Sequence, residues 1–246
     1  MKLDLNCDLG EGEPAARTRA LMRRITSANV ACGGHAGDAA SMEFCVRLAK
    51  QFGVRLGAHP GPWSRLDLGR SAAQIKPGEI ELLLLQQVGA LEKIARDSGL
   101  RLHHIKLHGA LYHASETDEG LARRYLESVT RWWPGAIIYA KANGNVARLA
   151  RKAAIEIWEE GFIDRGYKDD GALVPRNQPG ALVTKPREAR HRARMILEQA
   201  QAETISGRRI SLRPRTLCVH SDTPNALALA RIVRLLLDRS GALHFP

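Results

Sequence analysis

The sequence predicts an α/β fold, an irregular (β/α) TIM-like barrel with seven or eight parallel strands in one domain over residues 1–246. Strand-like apolar runs alternate with amphipathic helical runs, which is typical of βα units around a parallel sheet. The length of 246 residues and the hydrophobic content of 44% suit one barrel of ordinary size. Unusual polar residues follow most of the strand-like runs, and no Pro- or Ser-rich linker divides the chain.

The predicted elements come in order along the chain. The strand-like runs are residues 3–7, 28–32, 54–58, 102–107, 136–140, 155–158, 181–184 and 216–219. The helical runs are residues 15–25, 41–52, 79–98, 121–132, 146–153, 187–202 and 225–240. Thr223 precedes Pro224, and this pair predicts an N-cap and a first-turn proline for the last helix.

A closed barrel is favoured over an open doubly wound sheet. No GxGxxG or Walker sequence follows any strand-like run, which disfavours a nucleotide-binding open sheet. Active sites of (β/α) barrels gather at the carboxyl ends of several strands. The ionisable residues at or just after these ends are Asp8, Glu11, His35, Asp38, His59, Lys106, His108, Lys141, Asp164, Arg165, His220 and Asp222. We therefore expect one shared site at the mouth of the barrel.

The net charge of +11 raises the alternative of a basic module that binds nucleic acid. The arginine clusters at residues 23–24, 187–194 and 208–215 lie on predicted outer helices or in a surface loop, without interleaved aromatic residues. Aromatic content is only 5%, which is poor for stacking on single strands. A solvated basic surface is favoured, and we expect no nucleic-acid partner; such a surface also suits acidic partner subunits or a carboxylate substrate.

The sequence predicts a cytoplasmic protein without membrane spans. The N-terminus has no apolar h-region, and no stretch approaches the roughly 18 apolar residues of a span. Cys7, Cys32, Cys45 and Cys218 show no CxxC spacing, so we expect reduced, mostly buried thiols and no structural zinc site.

The first two strand ends carry acids, glycines and a histidine. Asp8 and Glu11 surround a glycine turn, where paired carboxylates supply a general base or ligate a cation. The alternative is capping of the next helix by Glu11 or Glu13. Between residues 27 and 38 two adjacent glycines allow close approach of a ligand beside His35, and Asp38 is a good N-cap.

The third and fourth strand ends supply histidines and a lysine. His59 lies in the sequence GAHPG, which restricts the backbone on both sides. Lys106 and His108 share a strand face, and an inward lysine is costly unless it meets an anion. Lys106 therefore holds a substrate carboxylate, a phosphate or an oxyanion, or else pairs with Asp8 or Asp164 without a substrate role. We expect the neighbouring His103 and His104 to be structural.

The last strand ends combine acids with an arginine and a histidine. Asp164 stands beside Arg165, whose guanidinium reads planar anions bidentately. His220 and Asp222 precede the last helix, whose free N–H groups favour an anion. For Asp222, local capping is an equally good explanation, so His220 is the stronger candidate.

Seven segments together resemble the LamB/YcsF family. They are DLNCDLGEG (4–12), SANVACGGHAGD (27–38), GAHPG (57–61), KLHGALY (106–112), DRGY (164–167), LVPR (173–176) and CVHSDTP (218–224). The family is known as the A subunit of prokaryotic 5-oxoprolinase (PxpA), with an irregular (β/α) barrel related to the glycoside hydrolase and deacetylase superfamily. The resemblance implies ATP-dependent opening of the 5-oxoproline lactam to L-glutamate, with PxpB and PxpC as partner subunits.

The residues and the resemblance together give the expected site. The expected catalytic residues are Asp8, His35, His59, Lys106, His108, Asp164 and His220, and the expected substrate-binding residues are Asn6, Glu11, Asn29, Arg165 and Asp222. In this scheme Asp8 or His59 activates water, Lys106 and Arg165 hold anionic oxygens, and the other histidines orient or shuttle protons. Because no familiar phosphate loop occurs, ATP is expected mainly on a partner subunit. The sequence leaves the oligomeric state open, and a homo-oligomer is one of the alternatives.

Two features keep alternatives open. Gly34, Leu107, Ser221 and the loop at residues 62–70 depart from the family pattern, which leaves a related lactam or cyclic amide as substrate. Asp8, His35 and His59 also have the ligand types to hold a divalent ion with an open position. The alternative function is therefore a metal-dependent amide hydrolase or deacetylase that acts without ATP.

Overall fold

The protein, in a computed structural model that describes residues 2–71 and 75–243, folds as a closed barrel of parallel strands surrounded by helices. The strands are β1 (Asp4–Leu9), β2 (Ser27–Ala31), β3 (Arg55–His59), β4 (His104–Lys106), β5 (Ile137–Lys141), β6 (Ile157–Phe162), β7 (Gln201–Glu203), β8 (Arg209–Ser211) and β9 (Thr216–His220). The barrel order is β1-β2-β3-β4-β5-β6-β9, and β9 pairs with β1 to close it. The predicted fold class is confirmed.

The helices follow the strands as βα units require. They are α1 (Ala15–Met22), α2 (Ala39–Phe52), α3 (Pro77–Asp97), α4 (Gly109–Thr117), α5 (Glu119–Trp132), α6 (Asn145–Lys152), α7 (Pro186–Gln199) and α8 (Ala226–Arg239). In α2, Met42, Cys45 and Val46 are buried, and the Asp38 side chain accepts a hydrogen bond from the Ser41 amide as predicted for an N-cap. None of the helices in the described ranges is long and apolar enough to cross a membrane.

The described barrel closes with seven strands, so the predicted strand at residues 181–184 is wrong. This segment instead runs antiparallel to the chain after β6, with an isolated bridge between Arg165 and Leu182. The Arg165 Nε also donates to the Ala181 carbonyl, 3.3 Å away. The run resembles a strand because Ala181 and Val183 are buried, but they are buried in a loop near the barrel mouth.

The connection from β6 to β9 is the irregular part of the barrel. It contains α7 and the antiparallel pair β7–β8 in place of another barrel strand. The predicted cap of the last helix is also wrong. Thr223 donates its hydroxyl proton to Asp164 at 2.6 Å, and α8 begins later, after Asn225 with φ of 64°.

The barrel interior is filled with polar side chains rather than aliphatic ones. Side chains alternate along a strand, so Asp4, Asn6 and Asp8 of β1 point inward while Leu5 and Leu9 belong to the hydrophobic core. At the amino end, Asp4 accepts hydrogen bonds from hydroxyls of β2, β5 and β9. A charge inside a barrel is costly unless it is paired. Hydrogen bonds between inward-facing polar side chains, such as those that Asp4 accepts, therefore stabilise the polar interior.

The four cysteines lie where the sequence predicts buried thiols. Cys7, Cys32, Cys45 and Cys218 are all free and buried. Burial raises the pKa of the Cys32 and Cys45 thiols to about 12, so these side chains stay protonated at neutral pH.

Candidate functional site

A cavity of about 450 Å³ opens at the carboxyl end of the barrel. Its lining comes from several strands and the loops that follow them, as expected for a (β/α) barrel. The charged, imidazole and phenol side chains that line it are Asp8, His59, Arg70, Lys106, His108, Tyr112, His113, Arg165, Arg176 and His220. Six of the expected site residues therefore border the same cavity: Asp8, His59, Lys106, His108, Arg165 and His220.

Lys106 and Asp8 meet on the floor of this cavity. The Lys106 ammonium lies 2.9 Å from Asp8 Oδ1, and both side chains are almost completely buried. Burial alone would lower the pKa of Lys106, but the Asp8 carboxylate outweighs it and holds the pKa well above its usual value. Burial raises the pKa of Asp8, while His59 and Lys106 outweigh that and hold it well below its usual value. Both groups are therefore charged at neutral pH.

Glu160 is a site residue that the sequence reasoning missed. Its Oε1 lies 2.9 Å from the Lys106 ammonium, and its Oε2 accepts a hydrogen bond from the Tyr112 hydroxyl at 3.1 Å. Asn6 donates to the same carboxylate at 3.0 Å. The predicted strand ended at residue 158, whereas β6 continues to Phe162. Side chains two residues apart point to the same face of a strand. An acid two residues beyond an inward-facing residue was therefore the sequence signal that could have identified Glu160.

Asn6 and Asn29 lie beneath the cavity rather than in its wall. Both side chains are fully buried. Asn29 donates to Asn6 Oδ1 at 2.8 Å and to Asp8 Oδ1 at 2.6 Å, and its own oxygen faces His104 Nε2 at 2.6 Å. The two amides therefore position Asp8 and Glu160 through hydrogen bonds, and His104 has the structural place expected for it.

Asp164 orients His220. The Asp164 carboxylate is fully buried and lies 3.0 Å from His220 Nδ1, and it also accepts from the His220 amide at 2.8 Å. Because a carboxylate only accepts, Nδ1 carries the proton. His220 Nε2 then presents a lone pair toward the cavity, 3.7 Å from Asp8 Oδ2. Phe162 stacks against the ring at 5.8 Å between centroids.

Glu11, His35, His59 and His108 form a compact cluster beside the cavity. Glu11 Oε1 lies 3.2 Å from His35 Nε2, 3.1 Å from His108 Nδ1 and 3.7 Å from His59 Nε2. The rings of His35 and His108 stack 3.6 Å apart. The four ligand atoms all lie within 4.8 Å of one another, so the cluster could hold a metal ion.

The members of this cluster differ in charge. Burial lowers the pKa of His35 to about 4, which leaves its imidazole neutral at pH 7. Burial also lowers the pKa of His108. Burial raises the pKa of Glu11, but the neighbouring imidazoles of His108 and His35 outweigh it and hold the pKa well below its usual value. The Glu11 carboxylate thus faces the buried, neutral imidazole of His35.

The ligand set predicted from the sequence differs from this cluster. The predicted set groups Asp8 with His35 and His59. Asp8 Oδ2 does lie 3.3 Å from His59 Nε2, but Oδ1 is occupied by Lys106 and Asn29, and Asp8 lies outside the cluster around His35. Glu11 takes that place because β1 ends at Leu9 and Gly10, with φ of 78°, turns the chain before Glu11. Asp8 lies instead within a second group that could bind a cation, with Cys218 and His220.

Arginines surround the cavity entrance. Arg70 and Arg176 both pair with Asp222 Oδ2, at 2.5 and 2.9 Å, and both line the cavity. Asp222 is therefore a bridge between two loops rather than a helix cap. Arg165 is buried and donates to the carbonyls of Ala181 and Val174, so part of its guanidinium is used within the loop.

Gly34 lies tightly against a buried glutamine beside the histidine cluster. A Cβ at this position would collide with the Gln87 side chain and the Gly61 carbonyl. Gln87 is buried and bonds both the amide and the carbonyl of Gly61, at 3.0 and 2.7 Å. In this chain the amide of Gln87 therefore takes the space beside the histidine cluster.

The sequence matches the model of a known family along almost the whole chain. The family model described as "LamB/YcsF family" matches residues 3–245. This chain belongs to the LamB/YcsF family. A relative from Syntrophobacter fumaroxidans, named as the A subunit of 5-oxoprolinase, is 40% identical over 98% of this chain and 96% of its own length. A relative of the same name from Pyrococcus abyssi is 38% identical over 100% of this chain and 98% of its own.

Two solved structures have a similar fold, and one of them is also similar in sequence. The "Lactam Utilization Protein" of Thermus thermophilus superposes with a TM-score of 0.91 at 37% identity, covering 100% of this chain and 99% of that one. A family 4 carbohydrate esterase from Streptomyces lividans has a TM-score of 0.50 at 11% identity, over 99% of this chain and 91% of that one. The esterase shows a shared fold only.

Proposed function

We propose that this LamB/YcsF chain is the PxpA-type component of an ATP-dependent cytoplasmic 5-oxoprolinase, which opens 5-oxo-L-proline to L-glutamate together with partner subunits. The proposal rests on the buried Lys106–Asp8 pair beside the Asp164–His220 pair in one small cavity. The names of the relatives, which refer to 5-oxoprolinase and to lactam utilization, supply the substrate class. A cavity of about 450 Å³ has the size of a small-molecule site.

The charges of the cavity fit a small anionic lactam. The substrate carries a carboxylate, and Arg70 and Arg176 at the entrance offer guanidinium groups that one aspartate neutralises only in part. We propose that a substrate held there by its carboxylate places the lactam carbonyl toward Lys106, which lines the same cavity. A buried ammonium of this kind stabilises the negative charge of a phosphoryl group on the lactam oxygen.

Activation by ATP makes the unreactive amide reactive. Transfer of the γ-phosphoryl group to the lactam oxygen gives an activated carbon, to which water adds. The ring C–N bond then breaks as the nitrogen gains a proton, and the resulting acyl phosphate is hydrolysed by a second water. The sum is 5-oxoproline, ATP and two waters going to glutamate, ADP and phosphate.

His220 is the best-placed general base for the attacking water. Asp164 fixes its Nδ1 proton, so the Nε2 lone pair faces the cavity and can later return the proton to the ring nitrogen. Asp8 has a depressed pKa and bonds Lys106, which makes it a weak base at neutral pH. His59 Nδ1 lies 2.8 Å from the Lys106 carbonyl and its Nε2 lies 2.9 Å from His108, so both nitrogens are engaged.

We assign ATP binding to the complex of subunits rather than to a defined site on this chain. The sequence has no familiar phosphate loop, and we propose that PxpB- and PxpC-type subunits bind the nucleotide and deliver the activated lactam to this barrel. The relatives are named as one lettered subunit of an enzyme, which supports partners of some kind.

The test is to purify the full-length chain with its partner subunits and to measure glutamate and phosphate release from 5-oxoproline, with and without ATP. We expect equal amounts of both products, only when ATP, lactam and all subunits are present. The variant His220→Gln should lose activity, whereas His191→Gln on α7 should retain it. No glutamate from any combination would reject the proposal.

The histidine cluster favours a second candidate, metal-dependent amide hydrolysis without ATP. The same assay separates the two candidates. Lactam opening by this chain alone, independent of ATP and abolished by a chelator, would replace the first proposal with the second.

A further inference from the structure

We propose that Glu11, His35, His59 and His108 bind one divalent transition-metal ion, with zinc the preferred ion. The inference starts from the hydrogen bonds on the far sides of the imidazole rings. It is independent of the lactam reaction proposed above, because it concerns what the four side chains bind.

The outer hydrogen bonds fix two tautomers. His59 Nδ1 lies 2.8 Å from the Lys106 carbonyl, and His108 Nε2 lies 2.7 Å from the Leu68 carbonyl. Carbonyl oxygens only accept, so both of these nitrogens carry protons. In the neutral rings, His59 Nε2 and His108 Nδ1 must then present lone pairs to the cluster.

These lone pairs point at one another and at an anion. His59 Nε2 and His108 Nδ1 are 2.9 Å apart, and Glu11 Oε1 lies 3.1 Å from His108 Nδ1. Three acceptors so close together repel unless a positive charge lies between them. A proton bridges one such pair, whereas His35 Nε2 approaches the same carboxylate oxygen at 3.2 Å. One divalent cation among His59 Nε2, His108 Nδ1, His35 Nε2 and Glu11 Oε1 would satisfy all four groups at once.

The spacing of the ligand atoms fits a small tetrahedral ion. Ligands about 2.0–2.1 Å from a tetrahedral zinc lie about 3.3–3.4 Å from one another. Four of the six distances between ligand atoms range from 2.9 to 3.7 Å, on both sides of that value, and all six are within 4.8 Å. Three imidazoles with one carboxylate are a set that transition metals such as zinc prefer over magnesium or calcium.

The surroundings also have the form of a metal site. The three histidines are 5% exposed or less, so an ion would be shielded from water. Ligand histidines in metalloproteins usually donate their second N–H to a carbonyl or carboxylate, as His59 and His108 do here. Because four protein groups fill a tetrahedral shell, we expect a tightly retained ion next to the cavity floor.

The experiment is elemental analysis of the untagged full-length chain, purified without chelator, stripped of metal and then reloaded with Zn²⁺ or Co²⁺ before gel filtration. We expect about one retained ion per chain and a tetrahedral visible spectrum with Co²⁺. In Glu11→Gln and His108→Gln, affinity for Zn²⁺ should fall more than about 100-fold, beyond the loss typical of a residue that only orients a ligand. His113→Gln, a cavity histidine outside the cluster, should retain the ion.

A wild-type chain that retains no ion after reloading overturns the proposal, as does equal retention by Glu11→Gln. The measurement contains no lactam, ATP or partner protein. A chain that retains no ion after reloading but still opens the lactam in its complex overturns the metal site alone, and a metal-loaded complex without activity overturns the proposed reaction alone. If a variant fails to fold, the wild-type stoichiometry still decides.

Discussion

Lys106 and Asp8 form an ion pair of 2.9 Å across the barrel interior, and their side chains are only 3% and 2% exposed. Glu160 contacts the same ammonium, also at 2.9 Å. One cation therefore holds two buried carboxylates, and it joins β1, β4 and β6 at the cavity floor.

The first prediction is that Lys106→Met destabilises the protein strongly. The substitution leaves two buried carboxylates without their cation, which costs about 3–5 kcal/mol of unfolding free energy. Thermal unfolding followed by circular dichroism should show Tm lower by roughly 6–20 °C. The control is Lys93→Met, which breaks an exposed pair with Asp97 and should cost less than about 1 kcal/mol. Equal effects of the two variants would contradict the paired role of Lys106.

The second prediction concerns the Asp164–His220 pair. Asp164→Asn should reduce kcat about 10²–10⁴-fold with little change in KM, because the amide no longer fixes the Nδ1 proton of His220. Since the two residues act as a unit, the double variant with His220→Gln should be no slower than His220→Gln alone. The control, Asp169→Asn, changes an exposed acid bonded to Ser206 and should keep its activity. If the losses in kcat from the two single substitutions added in the double variant, the two residues would not act as a unit.

The fold was predictable because alternation of strands and helices leaves few architectures. The site position was predictable because parallel strands carry their carboxyl ends to the same rim, which brought Asp8, Lys106 and His220 into one cavity. The strand at residues 181–184 could not be excluded from sequence, because a buried loop and a buried strand have the same apolar composition.

Glu160 and the composition of the histidine cluster depended on geometry that the sequence does not give. Glu159 and Glu160 are adjacent, and only the register of β6 shows which of them points into the barrel. Glu11 reaches His35 because of the turn at Gly10, while Asp8 is held by Lys106. Both outcomes depend on contacts between residues far apart in sequence.

The third prediction is a loss of stability in acid that depends on Asp164. Burial raises the pKa of Asp164, but His220 and Thr223 outweigh it and keep the pKa below its usual value. A carboxyl with a lower pKa in the folded state stabilises the protein above the unfolded pKa of about 4, and this contribution disappears as pH falls toward the folded pKa.

Urea unfolding of the wild type and of Asp164→Asn, at a series of pH values between 6 and 3, measures this contribution. The wild type should lose up to about 1.4 kcal/mol per pH unit more than Asp164→Asn below pH 4. The stability difference between the two proteins should therefore shrink on acidification. A difference that stays constant with pH would show that Asp164 does not titrate in this way.

The last prediction tests whether the arginines at the entrance read the substrate carboxylate. Arg176 lines the cavity and shares Asp222 with Arg70, so its charge is only partly neutralised. In the reconstituted complex, Arg176→Gln should raise KM for 5-oxoproline about tenfold or more, the equivalent of losing about 1.4 kcal/mol or more from a charge-assisted hydrogen bond. Activity with 2-pyrrolidinone, the same ring without the carboxylate, should be unchanged by the substitution. Arg190→Gln on the outer helix α7 is the matched control and should alter neither substrate's KM. Equal effects on both lactams would assign Arg176 to the shape of the loop instead of to recognition of the carboxylate.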